Sequence, residues 1–332
     1  MENEKNRQAL PVSRAEAGQK LLNFLQRRVT APSGELHRWI RTGQVRVNGG
    51  RAKAFDRVEE GDLVRVPPFA EFLPAGSASH EKSKQENRPG TATKKAAFQG
   101  GQTLKIVYED DEILVIAKPA GLPVQGGTGH TDSVASRLAA ERADADFVPA
   151  PVHRLDKDTT GLLVIGKTYA AIRQLTDALA GRGGEAPRKE YLAWVEGRWP
   201  DSADGSPQEL HDFLVKDQKA QRMKTIRNAS ASPDAQEARC IVTALETRRI
   251  PDGTKDREYT LLLVRLLTGR THQIRVQLAS RGHAIVGDPW YGKKEAGLKL
   301  HAFRLSIPLP DGSKRQLELL PPWKEAWKVT RV

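Results

Sequence analysis

Apolar positions recur along the chain with two different periods, and the change of period divides it. In GQKLLNFLQRRV, Leu21, Leu22, Phe24 and Leu25 fall at helical spacing, with Lys20, Arg27 and Arg28 off that face. GELHRWIRTG repeats the pattern: Leu36, Trp39 and Ile40 on one side, Arg38 and Arg41 on another, Gly43 as a C-terminal stop. The period then falls to two. Val45 and Val47 alternate with Gln44 and Arg46, Asn48-Gly49 signals a hairpin turn, and Leu63, Val64 and Val66 form a short strand ended by prolines. Residues 13–68 are therefore expected to form a small α/β unit behind a loose terminus over the first dozen residues. From 69 to 103 the pattern vanishes. The stretch PAGSASHEKSKQENRPGTATKKAAFQGG has almost no large apolar residue, buries too little to offset chain entropy, and reads as a flexible linker.

From Leu104 to about residue 330 strand-like and helical segments return. LKIVYED, EILVIAKP, GLLVIGKT, KEYLAWVEG, CIVTALETRR, YTLLLVRLLTG and LHAFRLSIP read as strands. TDSVASRLAAER reads as a helix capped by Thr131 or Asp132. AAIRQLTDALA has Ile172, Leu175 and Leu179 at helical spacing. THQIRVQLASRG has Thr271 as N-cap and Gly282 beyond its end. Residues 200–207 and 228–236 read as surface loops, and 215–237 as an extended stretch without a role. Strands outnumber helices and do not alternate strictly with them. That predicts an α+β domain with a mixed sheet rather than a doubly wound fold.

Composition narrows the partners. The 332 residues carry 53 Lys and Arg against 41 Asp and Glu, a net charge of +12. Such a balance favours a polyanion, nucleic acid first, with an acidic membrane surface as the rival. No long apolar run, signal-peptide core or lipidation motif is present, so a soluble cytoplasmic protein is expected. The one cysteine, Cys240, sits in the apolar run ARCIVTAL; a buried thiol is expected, and disulfide scaffolds and cysteine-rich zinc sites are excluded. His130, His153, His272, His283 and His301 are scattered singly. With no dinucleotide fingerprint and no P-loop, no metal and no cofactor is expected.

HRLDKDTTGLLVIGKT, from His153 to Thr168, crowds charge into a turn just before a buried strand. Alone, Asp156 or Asp158 could cap an ordinary turn. As a whole, HRLDKDTTGLLV resembles the catalytic motif of the RluA-type RNA pseudouridine synthases. KPAGLPVQGG (Lys118 to Gly127), KEYLAWVEG (Lys189 to Gly197), LTGRTHQIRVQLASRGHAIVGDPWYG (Leu267 to Gly292) and LHAFRL (Leu300 to Leu305) are similar to further blocks of that family, in the same order. GQKLLNFL and GQVRVNGGRAK resemble an S4 RNA-binding domain. The combination resembles the RluC/RluD-like subgroup, and RVNGGRAK followed by GDLVRVPP leans to the RluC-like side. There are departures. TAPSGELHRWI lacks the usual serine-arginine-like approach to the second S4 helix, and Ala284 stands where the family usually has proline.

The resemblance implies an S4 domain over 13–68, a linker over 69–103, and a catalytic domain over 104–330 with a mixed, mainly antiparallel sheet. It implies an isomerase that converts uridines of 23S large-subunit ribosomal RNA to pseudouridine and needs no cofactor, because the reaction involves neither redox chemistry nor an activated water; the sequence does not show the oligomeric state, and a monomer is assumed. Asp156 would be the essential carboxylate, acting at the sugar carbon as a glycosidase nucleophile does. Whether it attacks C1′ or takes a sugar proton is open. Burial opposes a charged carboxylate, and Arg275 matches the family's cationic partner for it. Ile274 and Leu278 are expected to face the core, with Arg275 projecting elsewhere. Tyr191 matches the tyrosine that stacks on the uracil, and its hydroxyl could help move the C5 proton. By alternation alone, Tyr191 shares a core-like face with Ala193 and Val195. Arg154 matches the residue that fills the space left by a flipped base. Arg270 would contact phosphate or support the site, and Asp158, Thr159 and Thr160 would hold the loop. Arg38, Arg41, Arg46 and Lys53 would meet phosphate on the S4 surface. Two rivals remain: a non-catalytic RNA-binding or ribosome-assembly factor, and a transfer RNA pseudouridine synthase.

Overall fold

The computed structural model describes residues 9–73, 103–126, 132–142, 145, 147–182, 187–200, 205–252, 255–293, 297–309 and 313–332. Most of the expected linker (74–102), His130, Thr131 and part of the expected loop (201–204) lie outside the described residues.

The N-terminal part runs β1 (Ala9–Pro11), α1 (Leu21–Arg28), α2 (Ser33–Thr42), β2 (Arg46–Val47), β3 (Gly50–Arg51) and β4 (Leu63–Arg65). Its sheet has the order β1-β4-β2-β3 with every pair antiparallel. The helical faces read from the sequence are the buried ones. Leu21, Phe24 and Leu25 of α1 and Leu36, Trp39 and Ile40 of α2 share one core with Val45, Val58 and Val64. Each such side chain contributes about 1.5–3 kcal/mol when fully buried. Asn48 and Gly49 both have left-handed φ (50° and 79°), as a two-residue hairpin turn requires. Residues 9–11 are not loose. They form an edge strand on β4, with Leu10 opposite Val64 and packed against the same core.

The rest builds an 11-stranded sheet. In chain order it comprises β5 (Lys105–Glu109), β6 (Ile113–Lys118), α3 (Val134–Glu141), β7 (Ala150–Pro151), β8 (Thr160–Gly166), α4 (Tyr169–Leu179) and β9 (Lys189–Glu196). Then follow β10 (Gln208–Asp217), β11 (Arg222–Ile226), β12 (Gln236–Asp252), β13 (Lys255–Leu266), α5 (Gln273–Ala279), β14 (Leu300–Pro308) and β15 (Lys314–Glu318). The sheet order is β11-β10-β12-β13-β9-β14-β8-β6-β5, with β15 on β14 and β7 on β8. Among the described residues, only β14 and β8 pair in parallel. The fold is α+β, with a mixed and mainly antiparallel sheet.

Both faces of the central strands are covered, which is why β8 and β9 read as continuous apolar runs. Along β9, Tyr191, Ala193 and Val195 enter one core with Ile274 and Leu278 of α5 and Val134 and Leu138 of α3. Leu192 and Trp194 enter another on the opposite face, with Phe303. On β8, Leu162 and Val164 pack with Ala171 and Leu175 of α4.

Two helix starts differ from expectation. Ser133 caps α3, through reciprocal bonds with Ser136 (3.1 and 2.8 Å), while Asp132 pairs with Arg137 at 2.7 Å. A hydroxyl one residue nearer the helix reaches its amides, and the carboxylate finds a stronger partner in a guanidinium. At α5 the residue before the helix is His272, with left-handed φ 54°, rather than Thr271. The stretch 215–237, unassigned by pattern, holds the end of β10, the turn to β11, β11 itself and a short 3-10 turn, Ala229–Ala231.

Candidate active site

The charged turn 153–159 joins β7 to β8 and is pinned from three sides. Val152 N donates to Val164 O (3.1 Å), and Val164 N donates to His153 Nε2 (3.0 Å). At the other end Thr159 N donates to Asp156 O (3.1 Å), and the Thr160 hydroxyl lies 2.7 Å from His301 Nδ1. Beneath the turn, the buried Lys118 Nζ donates to the carbonyls of Pro119, Leu122 and Lys157, each at 2.8 Å. Burial pushes the Lys118 ammonium down to about 8, while Asp158 and Asp156 oppose that fall. Three carbonyl acceptors match the three donors of an ammonium.

Asp156 therefore stands at a fixed place on the wall of a cavity of about 640 Å³. Its Oδ2 accepts a bond from Arg275 Nη1 at 3.1 Å. Arg275 is itself held by Asp288, through Nε to Oδ2 (2.7 Å) and Nη2 to Oδ1 (2.8 Å). Arg275 is 4% exposed and Asp288 is 0% exposed, so this fork is sealed from water. Burial works against the charge on both. The pair overcomes it: Arg275 rises above its ordinary range through Asp288 and Asp156, and Asp288 is lowered by Arg275. Asp288 Oδ1 also accepts the amides of Trp290 (2.9 Å) and Tyr291 (3.2 Å), which fixes the following turn.

The expectation that Arg275 projects away from the core is corrected. Residues 273–278 are all buried, because α5 is short and enclosed by the sheet and the 288–291 turn. Tyr191 lines the same cavity from β9 and belongs to the core as well, so alternation and site agree. Burial first, then the Asp156 carboxylate, pushes its phenol above the ordinary range, so it is neutral. Arg154 and Arg270 line the cavity with exposed side chains, Arg270 bonding Glu237 O through Nε at 2.9 Å. Asp156, Tyr191, Arg275, Arg154 and Arg270 thus meet at one place.

The N-terminal basic residues do not reach this cavity. Arg38, Arg41 and Lys53 are exposed, Arg38 lying 3.3 Å from Glu35. Arg46 folds back on its own hairpin, donating to Gly43 O (3.3 Å) and Gly49 O (3.1 Å). Asp288, His272 and Lys118 were not singled out from the sequence as site residues. Asp288 and His272 lie in the long 267–292 block, but Asp288 is 13 residues from Arg275 in the chain and nothing in the spacing pairs them.

A family model described as RNA pseudouridylate synthase matches residues 112–280. A ribosomal large subunit pseudouridine synthase C from Escherichia coli (strain K12) is 33% identical over 337 residues, covering 92% of this chain and 94% of the relative. The protein of the same name from Haemophilus influenzae is 34% identical over 312 residues, covering 91% and 87%. Among solved structures, human RNA pseudouridylate synthase domain containing 1 is similar with a TM-score of 0.53 and 24% identity, covering 67% of this chain and 84% of that one. Human RNA pseudouridylate synthase domain containing 4 gives 0.52 and 21%, covering 66% and 88%. These two likenesses speak to the fold.

Proposed function

The chain belongs to the RNA pseudouridylate synthase family, and from that premise we propose that it converts uridines of 23S large-subunit ribosomal RNA to pseudouridine, with Asp156 as the essential carboxylate. The observation that carries this is the seating of Asp156 on the cavity wall by the buried Arg275–Asp288 fork. The relatives named for large-subunit RNA support the substrate class.

The reaction breaks the bond between C1′ and N1 of uracil, turns the base and forms a bond from C1′ to C5. A proton leaves C5 and one is gained at N1, so the product is an isomer of the substrate. Asp156 acts at the sugar carbon as the glycosidic bond breaks. Its partner is already paired and buried, so little reorganisation accompanies the change of charge. Tyr191 is neutral; its ring offers a stacking face to the uracil, and its hydroxyl helps pass the C5 proton rather than holding a charge. Unstacking the uridine costs a few kcal/mol, and the exposed Arg154 at the rim fills the gap it leaves. Arg270, tied to the Glu237 carbonyl, supports the rim or meets a phosphate there. The enzyme acts as a cytoplasmic monomer without cofactor.

Residues 13–68 act as an S4-type RNA-binding domain, linked through 69–103 to the catalytic domain at 104–330. Arg38, Arg41 and Lys53 meet phosphate there; Arg46, bonded to its own turn, has a smaller share. Such contacts set affinity and its salt dependence rather than sequence choice.

The test is tritium release from 5-tritiated uridine in a large-subunit RNA transcript. Wild type is expected to release tritium, and Asp156→Asn to bind the RNA with similar affinity and release none. Release by the variant contradicts the assignment.

A further inference from the structure

His272 has an uncommon backbone and no part in the chemistry above. Its φ of 54° and ψ of 20° are left-handed, a region that side chains other than glycine occupy only where their surroundings enforce it. The enforcement is visible. Gln273, next in the chain, is buried, and its amide bonds Thr268 Oγ1 (2.9 Å), Arg270 N (3.0 Å) and Arg239 O (3.0 Å). The His272 ring stands edge-to-face against Trp290 and Tyr291, with centroids 5.5 and 5.7 Å away.

The two ring nitrogens face different groups. Nδ1 lies 3.0 Å from the Tyr291 hydroxyl, which already accepts the Met223 amide of β11 at 3.0 Å. Among the described residues Nδ1 is the one acceptor within reach of that hydroxyl, so the phenol proton is satisfied by donation to Nδ1. The single proton of a neutral imidazole is then on Nε2, and Nε2 faces Asp156 Oδ2 at 3.9 Å. Burial first, then Arg275 and Arg154, hold His272 below its ordinary pKa against Asp156 and Asp288, so the neutral ring is the resting form. Arg275 approaches the same Oδ2. Among the described residues Oδ1 accepts no hydrogen bond, which leaves it for the sugar carbon.

We propose that His272 is a positioning residue for Asp156: its Nε2–H closes on Oδ2 when substrate fills the cavity, so that Arg275 and His272 together hold one oxygen and turn the other to C1′, while Tyr291 sets the tautomer that allows it. A separation of 3.9 Å is long for a hydrogen bond, and bonds of this kind commonly tighten only once substrate is bound. The chain Met223–Tyr291–His272–Asp156 also gives the β10–β11 hairpin a task. It buttresses the catalytic carboxylate, with Arg222 Nη1 donating to Trp290 O as a second tie. This rests on Asp156 being the reactive carboxylate.

Two measurements test it. The tautomer is read without any activity, by nitrogen NMR of ring-labelled histidine in the full chain. An Nε2–H ring is expected for His272, with the preference lost in Tyr291→Phe; an Nδ1–H ring in wild type overturns the proposal. The second is single-turnover pseudouridine formation on a large-subunit RNA transcript, with RNA affinity and melting temperature taken in parallel. His272→Asn tolerates a left-handed backbone and can accept from Tyr291, yet falls short of Asp156. It is expected to lose roughly 10- to 100-fold in rate, the scale of a small misplacement of a reacting group, with little change in affinity. His272→Gln reaches further and should recover part of that loss. An unchanged rate in His272→Asn, or a loss that His272→Gln does not relieve, overturns the proposal. An inactive wild type counts against the proposed function alone, and the tautomer still decides the role of His272.

Discussion

Arg275 holds two carboxylates with one guanidinium: a two-bond fork to Asp288 and a third bond, through Nη1, to Asp156. A lysine ammonium has no planar fork to supply those directions, so Arg275→Lys should not restore activity. Removing the cation altogether leaves Asp288 buried and unpaired. Arg275→Met is therefore expected to lower unfolding stability by roughly 3–5 kcal/mol as well as abolish activity. Urea titration checks this; stability within about 1 kcal/mol of wild type, a value suited to an exposed pair, contradicts the buried-fork account. Asp156, Tyr191 and Arg275 could be singled out as candidates because each sits inside a long motif, and the fold brings them to one cavity. Their surroundings were not legible in the sequence. Periodicity placed Arg275 on a face away from the core, but a seven-residue helix enclosed on every side has no solvent face. Asp288 and His272 acquire meaning only from neighbours that the chain brings back across a turn, which spacing does not reveal.

At the scale of elements, β8 and β14 meet behind the charged turn that carries Asp156, and Gly161 makes their approach possible. Its φ is +114°, and a Cβ built there would lie 2.3 Å from Ala302 O, a backbone atom that cannot turn aside. Gly161→Ala is expected to cost about 2–3 kcal/mol or more and to lower activity through the displaced turn, measured by thermal unfolding and tritium release. Unchanged stability in that variant contradicts the close approach. The buried strands were readable as apolar runs because both their faces are covered. The β10–β11 hairpin was not, because its residues are a mixture of exposed and buried at the sheet edge and charged side chains break the alternation. Edge strand β1 was missed for a similar reason: three residues are too short for a period, and only pairing with β4 orders them.

Across the whole molecule, His301 ties the central sheet to the C-terminal segment. Its Nε2 lies 2.8 Å from Leu319 O and so carries the proton, leaving Nδ1 to accept from Thr160. Burial lowers its pKa to about 4, from an ordinary 6.5. The unfolded chain therefore binds more protons than the folded one between those values. Stability is full above pH 6.5 and falls as pH drops toward 4, by roughly 3 kcal/mol from this group. His153, lowered to about 4 chiefly by burial, adds in the same direction. Urea midpoints at pH 7.5, 5.5 and 4.5 are expected to fall in that order, and less steeply in His301→Gln; equal slopes for the two proteins contradict the assignment. The α+β class with a mixed sheet could be read from the excess of strands, and its mainly antiparallel character only from the family resemblance. Their order across the sheet could not, since β9 lies between β13 and β14 through pairings more than 60 residues apart in the chain. The parallel contact of β14 with β8, which brings the turn of Asp156 to its place, is likewise a tertiary fact.

The most direct measurement is pseudouridine mapping by carbodiimide chemistry and primer extension, on ribosomal and transfer RNA from cells with and without the gene. Pseudouridines are expected to vanish from large-subunit ribosomal RNA alone and to return with wild type but not with Asp156→Asn. Unchanged large-subunit RNA in the deleted cells, or restoration by the Asp156→Asn chain, would overturn the proposed role of Asp156 and the substrate.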